Sequence, residues 1–183
     1  MTQQSLYGPV DDAIWQAAKN IKLLICDVDG VFSDGRIYLG NQGEELKAFH
    51  TRDGYGVKAL LSVGIEVAVI TGRQSNIVQQ RMQQLGLSEI HQGVEDKLSV
   101  YQALVSRMHL RREDVAYIGD DLVDLEVMAE VGLAVAVADA HPLVLKACEY
   151  HTSLPGGRGA VRELSDLILQ SQGKLAQATG LSV

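Results

Sequence analysis

The sequence predicts an α/β protein: a three-layer, Rossmann-like, doubly wound parallel sheet with one inserted β-hairpin. Short apolar runs of strand length alternate along the chain with longer segments of helical period. The polar residues able to do chemistry gather at the carboxyl ends of those runs, where open α/β sheets bind their ligands. At 183 residues the chain is long enough to bury the core of one domain without disulfides.

Residues 1–19 read as an N-terminal extension with a short helix over 10–19, around Ile14, Trp15 and Ala18. Residues 20–172 carry the main domain. KLLICD is an unbroken apolar run that suits a strand buried on both faces. RIYLGNQGEELKAF, residues 36–49, interrupts the rhythm with alternating residues around a Gly-Asn-Gln-Gly turn, a hairpin whose base lies close to the first strand's end. Helical GVKALLSV, strand EVAVIT, helical SNIVQQRMQQL, the short strand SEIHQG and helical DKLSVYQALVSRM follow. Then come strand VAYIGD, helical DLVDLEVMAEV, strand LAVAVA, helical PLVLKA, strand EYHT and helical AVRELSDLILQ. Gly64, Gly86 and Gly132 fall where helices should end in a left-handed residue, and Ser75 where one should be capped. Residues 173–183 have weak periodicity and two glycines, and alone would form a mobile tail.

A formal net charge of -7 gives a field that repels nucleic acid and anionic membrane, so neither is an expected partner. An anionic substrate must therefore be held by local cations or a metal. No run approaches bilayer-spanning length, and the first residues lack the basic-then-apolar order of a secretory signal. Cys26 and Cys148 have no metal or redox spacing and read as small buried hydrophobes in a reducing compartment. The expected location is the cytoplasm.

Four strand ends carry the chemistry. The first ends in Asp27-Val28-Asp29-Gly30 and the second in Thr71-Gly72-Arg73; Lys97 opens the helix after the third; the fourth ends in Gly119-Asp120-Asp121, with Asp124 one turn on. Carboxylates converging on one crevice repel each other and are driven toward protonation unless a hard cation lies between them. Mg2+ meets that need, since it prefers oxygen ligands and is commonly held by one or two carboxylates plus a phosphate. Thr71, the amides after it and Lys97 are suited to phosphoryl oxygens. Asp27 can then act as nucleophile, forming an aspartyl phosphate, while Asp29 protonates the leaving oxygen and later activates water.

With DVDG, the threonine of VITGR, Lys97 of EDKLSVY and GDDLVD in this order, the chain resembles the haloacid dehalogenase superfamily of phosphotransferases. The resemblance implies catalytic roles for Asp27, Asp29, Thr71 and Lys97. It implies Mg2+ ligands at Asp27, Asp120 and the main-chain carbonyl of Asp29, with Asp121 or Asp124 giving support or a water-mediated contact. An aspartate at position 29 is what phosphatases of the superfamily carry. The intervals between Asp29, Thr71 and Lys97 are too short to hold a cap domain.

VFSDGRIYLGNQGEELKAFHTRDGYGVKAL, ITGRQSNIVQQRMQQLG and LPGGRGAVREL resemble the uncapped branch that hydrolyses 3-deoxy-D-manno-octulosonate 8-phosphate. That resemblance implies a homotetramer whose hairpins and C-terminal segments cover one another's sites, and a place in making the sugar acid of bacterial lipopolysaccharide. It also implies substrate contacts from Asp29, His50, Thr51, Arg52, Asp53, Gly54, Lys58, Gly72, Arg73, Arg81 and Lys97. Cations at positions 52, 58, 73 and 81 suit a substrate bearing both a carboxylate and a phosphate. Lys58 stands where that branch carries an arginine. Arg81 has a second reading, as a stem packed along the apolar stripe of Ile77, Val78, Met82 and Leu85. The glycines at 156, 157 and 159 around Arg158 fit either a helix-start anion site or a turn after Pro155. The other readings are a phosphatase for a related nine-carbon sugar acid, a phosphorylatable receiver-like signalling module, and a purely structural scaffold.

Overall fold

The computed structural model describes residues 1–180. Strands β1 (Thr2–Ser5) and β2 (Gly8–Asp11) form an antiparallel hairpin, followed by helix α1 (Asp12–Asn20) and the first strand of the main sheet, β3 (Leu23–Cys26). The inserted hairpin is β4 (Tyr38–Leu39) and β5 (Glu45–Leu46). Next come α2 (Thr51–Ser62), β6 (Glu66–Ile70), α3 (Asn76–Leu85), β7 (Glu89–His91) and α4 (Lys97–Arg107). The rest is β8 (Val115–Gly119), a 3-10 turn Leu122–Asp124 running into α5 (Leu125–Met128), β9 (Leu133–Ala136), α6 (Pro142–Ala147), β10 (Tyr150–His151) and α7 (Ala160–Ser171).

The main sheet is parallel throughout, in the spatial order β10-β9-β8-β3-β6-β7. From β3 the chain winds outward through β6 and β7, then returns to the other side of β3 and winds outward through β8, β9 and β10. The order therefore reverses between β3 and β8, and the crevice beyond their carboxyl ends is the topological switch point of a doubly wound sheet. All four residues of β3 and all five of β8 are buried, which is why their runs show no alternation.

Several local expectations are corrected. The β1–β2 hairpin was not foreseen, because TQQS and GPVD carry no apolar alternation. Helix α2 starts at Thr51, ahead of the predicted GVKALLSV, and places His50 at its N-cap, where Nδ1 accepts from the Arg52 amide at 3.1 Å. Ser75 sits at the N-cap of α3 without a side-chain capping bond. Gly86 is the expected left-handed cap (φ 92), but Gly132 is not left-handed. A Cβ on Gly132 would lie 2.6 Å from Glu113 Cα, so close backbone approach is its reason for being glycine. Residues 174–180 fold back rather than hang free: the Thr179 amide donates to Ser62 Oγ at 3.0 Å, and Leu175 and Ala178 pack on the core. The remainder of the expected tail, 181–183, lies outside the described residues.

Helices α2 and α7 lie in close contact through Gly56, where a Cβ would stand 2.8 Å from Ser165 Oγ. Helix α7 begins after Gly159, which has no side chain to cap it. Asp53 of α2 supplies the missing acceptor, with Gly159 N donating to its Oδ2 at 3.3 Å and Arg162 N to its Oδ1 at 2.9 Å. Burial raises the Asp53 pKa, and these amide bonds oppose the rise. Asp53→Ala should lower stability in urea unfolding by about 2 kcal/mol, the range for losing a cap and stranding buried donors, and Asp53→Asn should lose less.

Candidate active site

Asp27 follows β3 directly and is buried, its Oδ1 accepting from the Val28 amide at 2.7 Å. Lys97, the first residue of α4, reaches the same place, with Nζ 3.1 Å from Asp27 Oδ1 and 2.8 Å from Asp124 Oδ1. Asp96 fixes that helix start by accepting from the Ser99 amide at 3.0 Å. Asp124 Oδ1 also accepts from the Tyr117 hydroxyl at 2.6 Å, and its Oδ2 accepts from the amides of Asp120 and Asp121 at 3.0 and 3.2 Å. Both Asp124 oxygens are thus engaged by protein donors, so its work is to hold Lys97 and shape the loop after β8. Asp121, exposed, accepts from the Leu122 amide and caps the 3-10 turn.

Asp27, Asp120 and Asp124 each bring a carboxylate oxygen within 4.8 Å of the others. Burial, then repulsion from Asp27, Asp124 and Asp121, pushes Asp120 up to about 8. Burial and Asp124 push Asp27 up to about 6, against the opposing pull of Lys97. Burial alone would lower the Lys97 pKa, but Asp27 and Asp124 outweigh it and leave the value raised. One ammonium does not offset three crowded carboxylates. An all-oxygen set in that state fits a hard divalent cation, and Asp27 and Asp120 have the oxygen capacity that Asp124 lacks. The Asp29 carboxylate lies outside this cluster, so its expected ligand atom remains the main-chain carbonyl.

On the opposite side of the loop, Asp29 meets two cations: Lys47 from the hairpin, by direct ion pair, and Arg73 after β6, with Nε 3.7 Å from Oδ2. Glu45 lies 3.7 Å from Lys47 and 3.8 Å from Arg73. Glu45, Lys47 and Tyr117 were not anticipated from the sequence. The available signal was the hairpin's period of two, which puts Glu45 and Lys47 on one face next to the strand end. Thr71 is buried at the end of β6 with its amide donating to His91 O at 2.9 Å, and Gly72 after it is exposed.

The expected sugar contacts are less well gathered. Thr51 and Arg52 are exposed on the first turn of α2, and Gly54 is buried within it. Asp53, expected to touch substrate, is instead turned onto α7, with both oxygens held by its amides. Lys58 and Arg81 are half-buried, and neither they nor Arg52 form an ion pair among the described residues. Val78, Met82 and Leu85 around Arg81 are buried, consistent with a packed stem. His50 lines a depression with Asp34, Phe49 and Arg158. The glycines before α7 are not an anion site, because Asp53 already occupies that helix start. They form a backbone wedge: Gly157 N donates to Val31 O at 2.8 Å, and a Cβ on Gly156 would stand 1.7 Å from Gly30 O.

A doubly wound sheet with a buried aspartate, a lysine and an acidic loop at its switch point defines the class of haloacid dehalogenase-like hydrolases. The family pattern of that description matches residues 88–155. The chain is 59% identical over 177 residues to the 3-deoxy-D-manno-octulosonate 8-phosphate phosphatase of Yersinia pestis, covering 97% of this chain and 95% of that protein. The crystal structure of the Yersinia pestis phosphatase superposes with a TM-score of 0.98 at 57% identity, over 100% of this chain and 99% of that one. The Moraxella catarrhalis phosphatase, solved with magnesium, phosphate and KDO, superposes at 0.89 with 42% identity, over 92% of this chain and 97% of that one. The chain belongs to the 3-deoxy-D-manno-octulosonate 8-phosphate phosphatase family. No helix among the described residues is long and apolar enough to cross a membrane.

Two outcomes follow from the carboxylate cluster. In metal-free protein, Asp120 and Asp27 bind protons more tightly folded than unfolded, so stability should fall as pH rises from about 4 to about 8. Thermal unfolding in chelator across that range checks it. Between the two raised values, adding Mg2+ should release protons, measurable by calorimetry in buffers of different ionisation enthalpy.

Proposed function

We propose that this protein hydrolyses 3-deoxy-D-manno-octulosonate 8-phosphate to the free sugar acid and phosphate, through an aspartyl phosphate on Asp27. The observation that carries this reading is the buried Asp27 at the switch point, held by Lys97 and faced by Asp120. Asp27 Oδ1 is engaged by the Val28 amide and Lys97, which leaves Oδ2 to attack phosphorus. Asp29 protonates the departing sugar oxygen and then takes a proton from the water that attacks the aspartyl phosphate. Thr71 and Lys97 bind phosphoryl oxygens, and Tyr117 with Asp124 keeps the lysine aimed at Asp27.

Asp27, Asp120 and the Asp29 carbonyl are the groups that would hold Mg2+, which when bound would neutralise charge on the phosphoryl group. Arg73, beside Asp29 and half-exposed, is placed to meet the sugar acid. The nine-carbon analogue could be processed by the same catalytic groups, but the relatives described above are named for the eight-carbon substrate. A receiver-like module is not supported by this family membership.

The site has no cap of its own, and the hairpin above it exposes Tyr38, Leu39 and Leu46 by 51%, 75% and 65%. We assign these exposed side chains to contacts with neighbouring copies in a homotetramer, which supply the closure an open site needs. Two free cysteines accord with work in the cytoplasm, on the route to bacterial lipopolysaccharide.

Phosphate release should depend on Mg2+ and favour the eight-carbon substrate over the nine-carbon analogue and simple sugar phosphates. Indiscriminate release would overturn the substrate and keep the chemistry. Asp27→Asn should abolish turnover while the protein stays folded by circular dichroism; turnover near the parent level would sink the mechanism. Leu46→Glu should shift the mass in light scattering from tetramer toward smaller species.

A further inference from the structure

The hairpin has two unlike faces. Along β5, Leu46 points outward and is 65% exposed, while Glu45 and Lys47 on either side point toward Asp29 and Arg73. The Lys47 side chain is wholly buried, with 0% exposure, although it sits on a short surface hairpin. A lysine so enclosed needs compensation, and it has two carboxylates, Asp29 in direct contact and Glu45 at 3.7 Å. Glu45 in turn ties to Arg73 at 3.8 Å, so the hairpin and the loop after β6 form a bracket around one side chain.

The two oxygens of Asp29 are treated differently. Oδ1 meets Lys47 and lies 3.5 Å from Ser33 Oγ. Oδ2 is buried and accepts no hydrogen bond among the described residues, with Arg73 Nε 3.7 Å away. One oxygen is anchored and the other is buried without a hydrogen-bond partner among the described residues. That is the arrangement required of a carboxylate that must present one oxygen repeatedly to a reacting atom, because the anchor removes the side-chain rotations that would carry it off line.

We propose that Lys47 is a positioning residue: it grips Asp29 Oδ1 so that Oδ2 is directed at the scissile oxygen, with Glu45 holding Lys47 in place. This rests on the reading of Asp29 as the group that protonates the leaving oxygen. The β4–β5 hairpin thereby becomes part of the reaction apparatus within its own subunit, in addition to the outward face it offers other copies.

The test uses the full-length protein with Mg2+ and follows release of the leaving group in the first turnover, by rapid quench. Two substrates are compared: the sugar 8-phosphate, whose alkoxide needs a proton, and p-nitrophenyl phosphate, whose phenolate leaves without one. Lys47→Met should slow sugar release on the order of 100-fold, the scale of an angstrom-sized misplacement, with KM little changed and nitrophenol release much less affected. Lys47→Arg should recover part of the loss. Added to Asp29→Asn, Lys47→Met should cost nothing more. Equal loss on both substrates, or full additivity with Asp29→Asn, would make Lys47 a purely structural residue and overturn the proposal. An unchanged rate in Lys47→Met would overturn it as well. Absence of Mg2+-dependent release by the parent protein would instead remove the phosphatase reading, so the two failures are distinguishable.

Discussion

The rest of the molecule is arranged around the crowding of Asp27, Asp120 and Asp124 about one lysine. Three buried carboxylates within 4.8 Å are unfavourable together: burial first, and then their mutual repulsion, raises the values of Asp27 and Asp120. They stay together because the switch point between β3 and β8 leaves their backbones no alternative. The glycines enforce the same geometry. At Gly30 a Cβ would lie 2.0 Å from Asp120 Oδ2, and at Gly119 2.5 Å from Asp124 Oδ2. A side chain at either position would separate the groups, relieve the repulsion and remove the cation site with it.

Support for that crowded centre comes from behind. Residues 155–159 press backbone on backbone against the loop after β3, and the same segment leads into α7. Helix α7 is capped by Asp53 of α2, and α2 packs on α7 through Gly56. The loop after β3 is thus braced by a chain of close contacts running through α7 and α2. Asp53 is a charged residue beside the site whose carboxylate acts on the fold.

In front, the site is open. A hairpin of two-residue strands takes the place of a cap domain; its register pairs Tyr38 with Leu46 on one face and Leu39 with Glu45 on the other, and Lys47 shares the face of Glu45. Because both faces share one backbone, Tyr38 and Leu46 on one and Glu45 and Lys47 on the other can only move together.

Sequence by itself determined the alternation of strands and helices, the hairpin, and the residues at the strand ends, Asp27, Asp29, Thr71, Lys97 and Asp120. These are legible because burial on both faces writes continuous apolar runs, and ligand binding at parallel strand ends writes polar residues immediately after them. Tertiary structure alone decided that Asp53 caps α7, that Lys47 and Arg73 meet Asp29, that Tyr117 and Lys97 engage Asp124, and that β1–β2 forms at all. The physical reason is range. Periodicity reports which face of an element is buried, but an ion pair or a helix cap joins residues whose distance is set by the order of strands in the sheet, and no local pattern records that order.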